Sequence, residues 1–281
     1  MAPHYTTLAY LSLISLGFCL GAYGTLIGAG GGFLLMPLLL LIYPHEHQRT
    51  LTAISLAVVF LNSISGAGAY ARLKRIDYRS GLIFAAATIP GAIAGVLATG
   101  SVRREYFEII FSVFLIGMAI FLVLRPKSDT VPTETNLLPA TAGGATMAFK
   151  TMDGITFEYH YNRTLGLVVF FFLGFIASFL GIGGGSLVVP TLAYMLNFPI
   201  FIATATSQFI VAILTFSASL VHIWKGSFHH GAHRAAALGM GVLIGAQFGA
   251  FLSNKVKGPW IIRGLALAVA IVGIRMLVAA L

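Results

Sequence analysis

The chain has 281 residues, 58% of them hydrophobic and only 9% charged, with a mean hydropathy of +0.93. No soluble domain of this size can hide so much apolar surface, so the sequence reads as an all-α polytopic membrane protein. The net charge of +9 is uneven: residues 159–281 carry seven Lys/Arg and no acid, which argues against a cation path there, since such paths are lined with carboxylates.

The first apolar run, 8–27, lacks a Lys/Arg-rich start and a small-residue cleavage site, so it is expected to stay as a helix. Its Cys19 is the sole cysteine, which excludes an intrachain disulfide. Further runs fall at about 31–43, 50–70, 80–99 and 105–124, then at 164–180, 184–196, 202–222, 235–252 and 260–281. Between the two sets lies a polar linker, 126–163. Its later stretch, AFKTMDGITFEYHY, alternates around Asp153-Gly154, a dipeptide favoured in two-residue turns, and predicts a small solvent-exposed β-hairpin.

The two sets repeat each other. A shift of 153 lays GAGGGFLLMP (Gly28 to Pro37) on GIGGGSLVVP (Gly181 to Pro190), a shift of 152 lays Thr52, Ala53 and Ser55 on Thr204, Ala205 and Ser207, and a shift of 154 lays Gly91 and Gly95 on Gly245 and Gly249. The expected organisation is therefore a first transmembrane repeat at 1–125, the linker at 126–163 and a second repeat at 164–281, as in many transporters. Runs 31–43 and 184–196 have 13 residues each, or about 20 Å as helix, too short for a hydrocarbon core of about 30 Å. If each folds back as a re-entrant helix the halves are inverted; if each completes a broken span they are parallel. With the Arg72–Arg79 loop inside, both schemes put 11 Lys/Arg inside and six outside. The spanning length of run 8–27 favours inversion.

Four glycines in five residues followed at once by apolar residues describe a helix broken at membrane depth, which is tolerated only where protein buries it or it lines a polar cavity. A half-helix starting there points unpaired N–H groups and a positive dipole end into the break, where glycine admits an oxyanion. Gly30, Gly31, Gly32, Gly183, Gly184 and Gly185 are the candidate backbone donors, and Ser186 adds a hydroxyl where the first copy has Phe33. This predicts that the second copy makes the more polar contacts. Helix packing through small residues is the competing reading. In the third run of each half, Thr52, Ser55, Asn62 and Ser63, and Thr204, Thr206, Ser207 and Gln208, need partners in a low dielectric; Asn62, Ser207 and Gln208 are expected to close the pocket. Gln247 resembles them, flanked by Gly245 and Gly249.

His229, His230 and His233 cluster near Lys225 and Arg234, with His222 one turn away, and suit a cationic vestibule better than a metal site; His45 and His47 flank Glu46 in the corresponding loop. Arg275 is placed to snorkel to the interface. No HExxH, GxSG, paired aspartates or nucleotide-binding loop appears, so no enzyme activity, metal, cofactor or ATP motor is implied.

The doubled GxGGG stretch, followed in each half by T-A-x-S (Thr52-Ala53-Ile54-Ser55 and Thr204-Ala205-Thr206-Ser207), resembles the TauE/SafE family of sulfite-exporter-like permeases over both halves but not the linker. The resemblance implies a secondary carrier of small sulfur-containing anions, such as sulfite or organosulfonates, in the plasma membrane. It implies no nucleic-acid partner and leaves homo-oligomer formation open. A passive anion channel, or a scaffold acting through the linker hairpin, are the alternatives.

Overall fold

The structure, a computed structural model, describes residues 7–28, 30–124, 144–150, 156–228, 231–253 and 273–275. The chain forms α1 (Thr7–Ile27), α2 (Gly32–Ile42), α3 (Gln48–Arg72), α4 (Tyr78–Thr99) and α5 (Arg104–Leu124). Strands β1 (Gly144–Lys150) and β2 (Thr156–Asn162) follow, then α6 (Arg163–Leu180), α7 (Gly185–Pro190, continuing as a π-turn through Thr191–Met195), α8 (Ile200–Trp224) and α9 (Ala232–Leu252). Six of these helices are long and apolar enough to cross a membrane: α1 from Ala9 onward, α3, α4, α6, α8 and α9. Most of the last apolar run, 260–281, lies outside the described residues. Gly273, within it, faces Leu115 and Ile116 of α5.

The strands pair antiparallel from Gly144 opposite Asn162 to Lys150 opposite Thr156. The Asp153-Gly154 turn lies outside the described residues. Asn162 ends β2 and caps α6, its Oδ1 accepting from Leu165 N at 3.1 Å.

Glycine sets which helices touch. A Cβ on Gly245 would collide with Phe18 O, one on Gly249 with Ala22 O, and one on Gly17 with Leu238 O. The backbones of α1 and α9 are thus pressed together, and the contact climbs both chains in step, so the helices run parallel. The same holds between α4 and α6, where a Cβ on Gly91 would meet Phe171 O and one on Gly95 would meet Phe175 O. Small residues at such a crossing allow the close packing that drives association where lipid removes the hydrophobic effect. At the centre, α3 and α8 cross antiparallel: Phe60 packs on Phe216 with centroids 5.3 Å apart, while Gly66 lies near Gln208.

The short helix α2 runs back along α1. A Cβ on Gly24 would collide with Gly31 N, and one on Gly31 would lie 2.8 Å from Leu20 O, so α2 starts beside the last turns of α1. It ends at Tyr43, whose ring lies 4.0 Å beneath the Arg234 guanidinium at the start of α9, the end at which α1 also begins. The 11 residues of α2 are about 16 Å long, enough for a half-membrane return. α7 follows the same course, since α6 runs toward the end where α4 finishes, whereas α8 starts at the opposite end, with Thr206 Oγ1 accepting from Asp77 N at 3.0 Å.

Gly245→Ala is expected to lower the thermal stability of the purified protein by about 1–3 kcal/mol, because the added methyl must push the backbones of α1 and α9 apart. Gly68, around which a Cβ meets nothing within 4 Å, is the control. Gly68→Ala should leave the melting temperature unchanged or raise it.

Candidate functional site

Each glycine-rich break uses the left-handed backbone at three glycines in the same pattern. Gly28, Gly30 and Gly31 have φ of 78°, 69° and 77°, and Gly181, Gly183 and Gly184 have 71°, 74° and 82°. Side chains at these positions would be strained whatever the space around them. Gly31 and Gly184 are the N-caps of α2 and α7; neither helix has a side-chain cap, and Gly32 and Gly185 are already helical. The breaks touch each other: a Cβ on Gly32 would collide with Ile182 O, and one on Gly183 with Val59 of α3. All six glycines proposed from sequence are buried at this junction.

The T-A-x-S serines hold the breaks across the halves. Ser55 Oγ donates to Gly181 O at 2.6 Å, and Ser207 Oγ donates to Gly28 O at 2.8 Å. The threonines three residues earlier cover the same glycines, Thr52 against Gly181 and Thr204 against Gly28. Each half thus supplies the hydrogen bond that the other half's broken backbone needs. Ser207 is occupied with this task and with Thr204 O at 2.8 Å, so it shapes the break and offers no free donor.

The free polar groups gather at the first break. Asn62 is fully buried; its Oδ1 accepts from Thr25 Oγ1 at 3.2 Å, and its Nδ2 has no partner among the described residues. Ser63 Oγ and both amide atoms of Gln208 are likewise buried without partners among them. A Cβ on Gly30 would lie 3.0 Å from Ser63 Oγ, and one on Gly66 3.2 Å from Gln208 Oε1 and 3.1 Å from Thr25 Cγ2. Tyr70 Oη donates to Thr25 O at 3.1 Å and closes this cluster on one side.

The polarity therefore runs opposite to the sequence expectation. At the second break Ser186 Oγ and Ser178 Oγ are buried and unpaired among the described residues, but the positions matching Asn62 and Gln208 are Leu214 and Leu56, and Thr215, matching Ser63, donates to Val211 O at 2.6 Å. The polar groups at the first break come from α1, α3 and α8 rather than from α2 itself.

A sequence profile described as Sulfite exporter TauE/SafE matches residues 13–276. The chain belongs to the TauE/SafE family. It is 28% identical over 276 residues to the probable membrane transporter protein YunE of Bacillus subtilis, covering 96% of this chain and 98% of that protein. It is 26% identical over 217 residues to the probable membrane transporter protein MJ0441 of Methanocaldococcus jannaschii, covering 75% and 71%. No solved structure matches it. This TauE/SafE protein is a multi-pass membrane transporter, not an enzyme; in a bacterium its membrane is the plasma membrane.

The remaining candidates of this TauE/SafE chain lie away from the breaks. Gln247 Nε2 donates to Ser65 O and Oγ, both at 2.9 Å, tying α9 to α3. Arg234 bridges to Glu46 at 3.0 Å and stacks on Tyr43. Arg103 and Arg104 pair with Glu105 and Glu108. His222 Nδ1 lies 3.2 Å from Ser227 Oγ. His229 and His230 lie outside the described residues. Among the described residues no group of three or more His, Cys, Asp or Glu side chains is placed to hold a metal. Sequence reading missed Thr25, which orients Asn62; its position 153 residues before Ser178 was the signal that could have found it.

Removing either cross-half bond should loosen the breaks. Ser55→Ala or Ser207→Ala leaves a buried carbonyl unsatisfied, with an expected loss of about 1–3 kcal/mol in unfolding assays. Serine-to-threonine changes that keep the hydroxyl should cost less than the alanines, and equal losses would show that the hydroxyl bond is not what matters.

Proposed function

We propose that this TauE/SafE protein is a secondary carrier of small sulfur-containing anions, such as sulfite or organosulfonates, bound at the junction of the two breaks. The observation that carries this reading is the set of buried, unpartnered groups, Asn62 Nδ2, Ser63 Oγ and Gln208, beside the left-handed backbone of Gly30 and the start of α2. Buried polar atoms are normally hydrogen-bonded, so such a cluster at membrane depth fits a ligand-binding role. Asn62 is suited to an anion: Thr25 donates to its oxygen, so its two N–H groups remain for the substrate. The start of α2 adds N–H groups and the positive end of its dipole. The second break, through Gly183, Gly184, Gly185 and Ser186, forms the opposite, less polar wall.

No cation lies among the described buried groups of this junction; the buried charged residues among those described are Asp77 and Arg234, both near helix starts. Neutral donors solvate a single diffuse charge better than a double one, because the cost of leaving water rises with the square of the charge. The reading is accordingly a monoanion carrier, favouring sulfonates and the singly protonated form of sulfite.

The halves fit inverted repeats. α1 pairs in parallel with α9 and α4 in parallel with α6, the matching pairs under the duplication, while α3 crosses α8 antiparallel. This arrangement supports alternating access by rocking of one half against the other around the shared junction. The end bearing Arg72, Lys74, Arg75 and Arg79 is also where α5 leaves for the linker and α6 returns; the excess of basic residues there assigns it to the cytoplasm.

The test is uptake and counterflow in proteoliposomes with sulfite, an alkylsulfonate and chloride. Saturable counterflow of the sulfur anions is expected, with chloride at least tenfold weaker; equal affinity for chloride, or flux without saturation, would sink the selective-carrier reading. Asn62→Leu, which copies the second half's Leu214, should weaken sulfur-anion binding by about tenfold or more, the worth of a hydrogen bond to a charged group.

A further inference from the structure

A cavity of about 350 Å³ opens at the end of the bundle opposite the linker, between the start of α3, the end of α4 and the turn after α8. Its walls include Arg49 and Lys225, with His47, Gln48, Thr50 and Ser227. The described salt bridges occupy Arg103, Arg104 and Arg234, so among the described residues neither Arg49 nor Lys225 is matched by an acid. Glu46, three residues before Arg49, is held by Arg234.

The polar groups around the cavity form a built frame. Gln48, itself buried, donates to Val102 O at 2.6 Å, and Arg49 donates through one terminal nitrogen to Gly100 O at 3.1 Å. The Arg49 bond caps the end of α4 and fixes the direction of the guanidinium, the Gln48 bond holds the turn that follows, and the other N–H groups of Arg49 have no partner among the described residues. The start of the 25-residue α3 has no side-chain cap at His47, so its first N–H groups add to the positive field. Behind the cavity the fully buried His222 holds Ser227 by its Nδ1, and its Nε2 has no partner among the described residues.

We propose that this cavity is a second, peripheral site for a small oxyanion, where Arg49 and Lys225 hold the substrate on the non-cytoplasmic face before it passes to the breaks. The proposal rests on the anion-carrier reading and assigns it a capture step. A cleft lined by unpaired cations concentrates anions and speeds their arrival, and the effect falls as salt screens it. It also divides the labour between the sites: the outer one attracts by charge, and the inner one selects with neutral donors. A rival role exists for the same two cations. Both sit at helix C-termini, Arg49 over the end of α4 and Lys225 at the end of α8, where a positive charge stabilises the helix without any ligand.

Calorimetric titration with sodium sulfite, on protein in phosphatidylcholine nanodiscs, separates these roles. The wild type is expected to bind two sulfite ions, one of them weakened steeply by added sodium gluconate. Lys225→Glu and Lys225→Gln should remove the salt-sensitive site and leave the other, Lys225→Arg should retain both, and Asn62→Leu should remove only the salt-insensitive one. In proteoliposomes, Lys225→Gln should raise KM for sulfite offered at the non-cytoplasmic face by about three- to tenfold with maximal rate unchanged. Unaltered binding in both the Lys225 variants and Arg49→Gln, with only a lower melting temperature, would assign the cations to the helix ends and overturn the proposal. A single site lost in Asn62→Leu would overturn it too while sparing the carrier reading; a single site lost in Lys225→Glu alone would spare the cavity and overturn the site at the breaks. Disappearance of the salt-sensitive site when phosphatidylglycerol is added would give the cavity to a lipid headgroup and likewise overturn the proposal.

Discussion

A helix broken inside a membrane exposes carbonyl and N–H groups that no water reaches, and each one left unpaired costs several kcal/mol. This protein meets that constraint by exchange between its halves. Ser55 of the first half binds the carbonyl of Gly181, and Ser207 of the second binds that of Gly28. Neither break is self-sufficient, so the glycine-rich stretches must lie together at the centre with α3 and α8 crossing over them. The parallel contacts of α1 with α9 and α4 with α6 follow from the same interlocking, since each half lends helices to wrap the other.

The two breaks are alike in backbone and unlike in their surroundings. Their backbones agree closely, with the same three left-handed glycines in each. Their surroundings diverged: Thr25, Asn62, Ser63 and Gln208 surround the first, while Ser178, Leu214, Thr215 and Leu56 take the matching places around the second. Backbone geometry is under a joint constraint, because each break is clamped by the other half. The side chains facing the junction are not, and one side became the polar wall.

Charge is distributed by depth. At the centre the described groups are neutral amides, hydroxyls and backbone, while Arg49 and Lys225 lie together at one end of the bundle. A cation at the junction would bind an anion tightly in a low dielectric and release it slowly, whereas a carrier must let go. Cations at the rim act over a longer range through water, where salt screens them.

The broken helices and the membrane setting were legible in the sequence because they depend on local composition and on spacing. Four glycines in five residues can do little else at that depth, and a run of 13 residues cannot span. Asn62 and Gln208 stood out because amides are costly in an apolar run. Three things were decided only by tertiary structure. Ser207 turned out to be committed to Gly28, 179 residues away, a bond that no local pattern encodes. The polar wall fell at the first break, because its groups arrive from α1, α3 and α8, and Phe33 and Ser186 gave no guide to what those helices would bring. Arg49 joined Lys225 at one cavity, although 176 positions separate them, because the start of α3 and the end of α8 share one end of the bundle. Periodicity and composition fix what a segment is. The company its side chains keep depends on how distant segments of the chain cross, and here that crossing is set by glycines that let backbones meet.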